Sequence, residues 1–238
     1  MEKRYKEKLF AFRKRVPIGI TQAIKLLEET GADLEKAVEL FKKKQLEIVM
    51  SKTGVSKDFA TRHLLKNNHD IYLTIKSIDE ERYTYTERVL IRFKQHKERA
   101  MELIAGRLSE LNNIKRDYWL DFDDICKQTS LVSCVLAVME WLNYENWEGL
   151  NCALYFHLDM VIDRINDQLS FPEMVETLKA AKKVHSEQFE EQQAKFRREG
   201  SIGPTPEFLE QSELFDFYRP MLIDKLYELV QKNIDCFP

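Results

Sequence analysis

The sequence predicts an all-α protein: two three-helix modules followed by an α-helical bundle. Three observations carry this expectation. Apolar residues recur three and four apart along most of the chain, the period of helices with one buried face. The 238 residues include only 7 Gly and 6 Pro, too few turn formers for a sheet-rich plan. The front of the chain also repeats itself 37 residues later: Leu9 returns as Leu46, Phe12 as Val49, Ala23 as Ala60, Leu27 as Leu64 and Phe41 as Ile78. A period of this size marks a supersecondary unit copied in tandem. The expected boundaries are residues 1–43 for the first module, 44–80 for the second and 81–238 for the bundle.

Each element of the repeat has a local reason. Gly31 and Asn68 stand where a helix should stop, because Gly enters the left-handed backbone region freely and Asn is its usual substitute. Two residues on, Asp33 and Asp70 are placed to cap the next helix by accepting from its first N–H groups. Apolar residues then follow at helical spacing: Leu34, Ala37, Val38 and Phe41 in one copy, Ile71, Ile75 and Ile78 in the other. Upstream, the turns Pro17-Ile18-Gly19 and Thr53-Gly54-Val55-Ser56 separate a first helix from a second. Each copy therefore reads as three short helices in about 40 residues, a size at which a lone core is marginal.

The back of the chain stays helical. Residues 84–114 place Val89, Phe93, His96, Ala100, Leu103, Arg107 and Leu111 on one stripe of a single long helix. Asp121, Asp123 and Asp124 suit the positive end of the next helix. The run from Leu131 to Trp141 predicts a buried central helix, and residues 143–149 a turn. Asn151 to Leu169 reads as another long helix. Pro172 fits a first helical turn, and 173–198 a polar helix with Met174, Leu178, Ala181, His185, Gln188 or Phe189 and Phe196 on one stripe. Gly200-Ser201-Ile202-Gly203-Pro204-Thr205-Pro206 is the clearest loop. A last helical stretch surrounds Pro220 and ends near Asp235.

Two motifs in the front resemble known families. Val16-Pro17-Ile18-Gly19-Ile20-Thr21-Gln22-Ala23, followed by Leu26 to Val38, resembles the N-terminal domain of elongation factor Ts, a three-helix bundle of the ubiquitin-associated (UBA-like) type. Met50, Gly54-Val55-Ser56-Lys57 and Leu65-Lys66-Asn67-Asn68-His69-Asp70-Ile71 are similar to the UBA domain of the nascent-polypeptide-associated complex. The resemblance covers roughly the first third of the chain and implies a protein-docking module, translation- or nascent-chain-associated. The Thr-Asp-Phe-Val signature of the elongation-factor family does not follow Ile78, so nucleotide exchange is not implied. The C-terminal region resembles no family recognised from its residues.

By analogy with such modules, the expected protein-binding surface comprises Ile18, Gly19, Ile20, Leu40 and Phe41, rimmed by Lys42, Lys43 and Lys44. A basic front supplies an alternative. Residues 1–97 hold 22 Lys or Arg against 14 Asp or Glu, a net +8, whereas the remainder carries −11. Lys3, Arg4, Lys6, Lys8, Arg13, Lys14 and Arg15 crowd the first helix. That front could meet nucleic acid or a ribosome, or dock on the acidic back of the same molecule. A third reading places an enzyme site in the bundle, where Asp159, Asp163 and Asp167 share a helix face near Glu140. His157 points elsewhere on that helix, and no Glu-x-x-His pair is present, so the acidic row reads as a solvated face. No phosphate loop or nucleophile elbow is found. The sequence predicts no cofactor, no metal and no catalytic residue.

Trp141, Tyr144, Trp147, Tyr155 and Phe156 read as core aromatics or as a docking patch. Cys126, Cys134, Cys152 and Cys236 lack paired spacing and read as small buried residues of a cytoplasmic protein. No apolar run reaches membrane-spanning length, and the first residues lack the apolar core of a signal peptide.

Overall fold

A computed structural model describes residues 3–200 and 203–238; Ser201 and Ile202 of the predicted loop lie outside the described residues, as do the side chains of Lys3 and Arg4. The protein is all-α. Among the described residues the only extended pairing is an isolated antiparallel bridge between Arg116 and Leu120. The chain forms two compact units, divided between Thr84 and Tyr85.

The front unit contains α1 (Lys3–Arg15), α2 (Ile20–Glu29), α3 (Leu34–Thr53), α4 (Lys57–Lys66) and α5 (Ile71–Arg82). It has two small cores. Phe12, Val16, Ile18, Ala23, Leu26, Leu27, Ala37 and Phe41 form one; Val49, Ala60, Leu64 and Ile78 form the other. The boundary at 43/44 falls inside α3, whose first half serves one core and whose second half serves the other. The two copies therefore share a helix. Phe41, Gln45 and Val49 lie four apart along its buried stripe.

The repeat is reproduced bond by bond at the two helix stops. Gly31 and Ala32 have φ of +62° and +59°, and Asn68 and His69 have +50° and +61°. Ala32 N–H reaches back to the Leu27 carbonyl at 2.6 Å, and His69 N–H to the Leu64 carbonyl at 2.7 Å. These are the closing bonds of a left-handed helix stop. The Asp33 carboxylate then accepts from the N–H groups of Glu35 and Lys36, and that of Asp70 from Leu73 at 2.8 Å. The Lys36 N–H holds the Asp33 carboxyl below its ordinary range.

The second unit contains α6 (Tyr85–Arg92), α7 (Lys97–Leu111), α8 (Phe122–Cys126), α9 (Ser130–Glu148), α10 (Leu150–Ala153), α11 (Leu158–Arg164), α12 (Pro172–Glu199) and α13 (Pro206–Lys232). The middle of α9, from Val132 to Leu142, is buried on all sides and forms the axis around which the others pack. A π-helical turn, Ile165–Leu169, extends α11, and a 3₁₀ turn, Ile234–Cys236, follows α13.

Three elements differ from the sequence expectation. The long helix over 84–114 is broken between Arg92 and Lys97. In an unbroken helix the Leu90 carbonyl would accept from Lys94, but here it accepts from the Tyr227 hydroxyl at 3.1 Å. The break also resets the phase of α7, which buries Ala100, Met101, Ile104, Ala105 and Leu108 while Leu111 is exposed. The predicted turn at 143–149 is instead the last two turns of α9, which ends at Gly149 (φ +84°). Finally, 151–169 is interrupted at His157, which adopts φ +49° and stacks on Phe122 with ring centroids 4.1 Å apart. Tertiary contacts override helical periodicity at the first and third of these places.

Candidate functional site

The corner following each helix stop can be compared between copies, because the backbone there is the same. In the first copy the corner is charged. Glu35 pairs with Arg15, Lys44 with Glu29 at 2.7 Å, and Glu28 is exposed. In the second copy the positions of Glu28, Glu35 and Lys36 are taken by Leu65, Tyr72 and Leu73. All three are exposed, Tyr72 by 75% and Leu65 by 61%. Lys66 and Lys76 are exposed close to them in sequence.

Of the surface expected from the sequence, only part is on the surface. Gly19 and Ile20 are exposed, and Leu40 is half-buried. Ile18 and Phe41 are 7% and 1% exposed and belong to the first core. They cannot form a docking face. The reason is size: a core of eight residues needs its largest side chains inside, and the turn before α2 closes one end of it. Lys42 and Lys43 are exposed, and Lys44 is held by Glu29.

The interior of the second copy also departs from the first. His63 occupies the position of Leu26 and is equally buried. Its Nδ1 lies 2.7 Å from Ser77 Oγ and its Nε2 3.0 Å from Glu81 Oε2, while Arg62 holds the other oxygen of Glu81 at 2.7 Å. Phe59 stacks on the imidazole at 4.8 Å. The line Ser77–His63–Glu81 has the composition of a hydrolytic relay. Ser77, however, sits within α5, where neighbouring N–H groups serve the helix ladder and offer no oxyanion donors. The arrangement gives a buried histidine a polar neighbour at each ring nitrogen.

The bundle residues singled out from sequence separate in space. Asp159, Asp163 and Asp167 are exposed, and Asp159 pairs with Lys182 at 2.9 Å. Glu140 does not join them. It is buried, accepts from Leu120 N–H at 2.8 Å and pairs with Arg116 at 3.1 Å, pinning the 116–120 loop onto α9. No group of three metal-ligating side chains occurs among the described residues. Trp141 is fully buried and donates to the Ala153 carbonyl at 2.8 Å, and Tyr144 and Phe156 stack at 3.9 Å. Trp147 and Tyr155 are exposed, so the aromatic group is divided between core and surface. Of the cysteines only Cys134 is buried, its thiol pushed up to about 12 by desolvation; Cys152 is half-buried, and Cys126 and Cys236 are exposed.

Sequence reading missed an open groove of about 770 Å³ lined by Leu150, His185, Phe189, Phe196 and Phe208. Tyr155 Oη lies 2.9 Å from His185 Nδ1, and burial holds His185 below its ordinary pKa. The signal was the stripe carrying His185, Phe189 and Phe196, of which the two phenylalanine rings face solvent.

These features define an all-α bundle with exposed apolar faces. Over residues 84–235, more than half its length, the chain matches the YfbN C-terminal domain, and it belongs to that family. The uncharacterized protein YfbN of Escherichia coli (strain K12) is 37% identical to it over 147 residues, which is 62% of this chain and 61% of that relative. The chain thus spans less than two thirds of the relative's length. No solved structure matches it.

Proposed function

We propose that this chain is an adaptor that docks a protein partner through its front repeat, with the second copy providing the main contact. The observation that carries the reading is the replacement of Glu28, Glu35 and Lys36 by exposed Leu65, Tyr72 and Leu73 on an otherwise repeated backbone. Isolated apolar side chains on a surface need no explanation, but several at one corner do. An apolar centre near Lys66 and Lys76 suits a partner with an apolar centre and an acidic edge. Gly19, Ile20 and Leu40 offer a smaller contact of the same kind in the first copy. The resemblance to elongation factor Ts and to the nascent-polypeptide-associated complex supports a UBA-like docking role close to translation. The four free thiols support a cytoplasmic location.

The test gives the second copy the residues of the first: Leu65→Glu, Tyr72→Glu and Leu73→Lys in the full chain. The variant should keep its helical circular dichroism and melting temperature. It should also lose a partner that the parent chain captures from its source organism in high salt. Retention of that partner would reject the surface. The exposed Lys42 and Lys43 favour a second reading, nucleic-acid or ribosome binding, whose affinity would fall steeply with salt and would ignore the triple substitution.

A further inference from the structure

We propose that the outer face of α13 docks a basic amphipathic helix of another protein. Leu214, Phe217 and Met221 follow one another at spacings of three and four residues, and all three are exposed, Phe217 by 61%. At 100° per residue they form one seam, the pattern by which a helix receives a partner helix. Pro220 lies beside the seam and is exposed as well. Because it has no N–H, it cannot donate to the Asp216 carbonyl one turn earlier.

The exposed charges flanking the seam are acidic, and Lys225, one turn past Met221, is half-buried with its ammonium on the Leu169 carbonyl at 3.3 Å. Glu210, Glu213 and Asp224 are exposed around the seam, with Asp224 held by Lys97 at 2.8 Å. The one basic residue between Pro206 and Asp224 is Arg219. It points to the other side, where it meets Glu98 at 2.7 Å and Glu145 at 3.7 Å. The face is therefore an apolar seam in an acidic frame, in contrast to the corner of Leu65, Tyr72 and Leu73, which has the exposed Lys66 and Lys76 close by in sequence along with the capping Asp70. Charge complementarity selects the occupant: apolar residues at helical spacing flanked by Lys or Arg. A second copy would set acid against acid, and an anionic membrane surface would be repelled. This proposal rests on different residues from the adaptor reading and stands or falls separately.

The test uses the full chain and two synthetic peptides of about 18 residues, five helical turns. Both carry leucine at helical spacing, one with lysine and the other with glutamate elsewhere. Fluorescence anisotropy should detect binding of the lysine peptide and none of the glutamate peptide. Phe217→Ser with Met221→Ser leaves net charge unchanged and should weaken binding by about 10-fold or more, as expected for a central apolar anchor. Glu210→Lys with Glu213→Lys should weaken it most at low salt. Unchanged melts will show that these exposed substitutions leave the fold intact. Equal binding by the Ser variant would reduce the effect to bare charge attraction and overturn the proposal. So would failure of the lysine peptide to bind, or self-association of the parent chain that the Ser variant abolishes.

Discussion

The two copies in the front unit use the same hydrogen bonds to different ends. Both stop a helix with two left-handed residues, and both restart with a capping aspartate. Their interiors differ. The first copy buries Phe12, Leu26 and Phe41, whereas the second has Val49, His63 and Ile78 in their places. At the corner after the helix stop their surfaces differ in the opposite sense, charged in the first and apolar in the second. Backbone chemistry thus preserves the module, while side chains are free to move apolar area from inside to outside.

The sharpest way to break this comparison is to charge the residue common to both interiors. Ala23 and Ala60 are fully buried and equivalent. Aspartate at either position buries a charge that nothing pairs, at a cost of several kcal/mol. Loss of cooperative helical melting in the front unit should follow for both. A fold that tolerates only one would show that the copies are not equivalent inside. Ile18→Asp belongs to the same class and should unfold the first copy.

The next effect separates the copies. Phe41→Ala should cost about 3–5 kcal/mol, and Ile78→Ala about 2–4, since the cavity left is smaller. Urea titration of the full chain will rank them; a larger loss at Ile78 would place the dominant core in the second copy. Gly31→Val forces a β-branched residue into φ +62° and should cost roughly 1–2 kcal/mol, whereas Asn68→Gly should be neutral or slightly stabilising. Thermal melts can resolve both.

The smallest effect is in pH. Desolvation, aided by Lys42, holds His69 below its ordinary pKa. The folded chain therefore favours the neutral imidazole. The corresponding stability is fully present above the unfolded value of about 6.5 and is lost as pH falls through and below it. His69→Ala installs the residue the first copy already carries at this position, Ala32, also left-handed. It should flatten the acid side of the front unit's stability profile. An unchanged profile would show that His69 does not set the acid sensitivity of this unit.

Much of this was legible in the sequence where the signal is local. Gly31, Asn68, Asp33 and Asp70 act through their own backbone, so their roles could be read directly. The buried run of α9 was equally plain, since it is apolar on every side. What could not be read depends on partners distant in sequence. The Tyr227 hydroxyl that breaks the helix after Leu90 lies 137 residues away. Burial of Ile18 and Phe41 follows from how few residues each small core contains. Glu140 looked like part of an acidic row until the 116–120 loop was seen to rest on it. Exposure along α13 was likewise illegible, because its inner and outer faces both carry large apolar residues.

The shared helix α3 has a geometric consequence. Phe41 and Val49 are separated by eight residues, an axial rise of about 12 Å, and each meshes with a different core. The helix works like a camshaft, with two lobes cut at a set angle on one rod. Adding one residue between them would advance the second lobe by about 100° and lengthen the rod by about 1.5 Å. Neither core could then seat without unwinding the other. Loops in this protein can absorb a changed length, but the stretch from Phe41 to Val49 has to keep count.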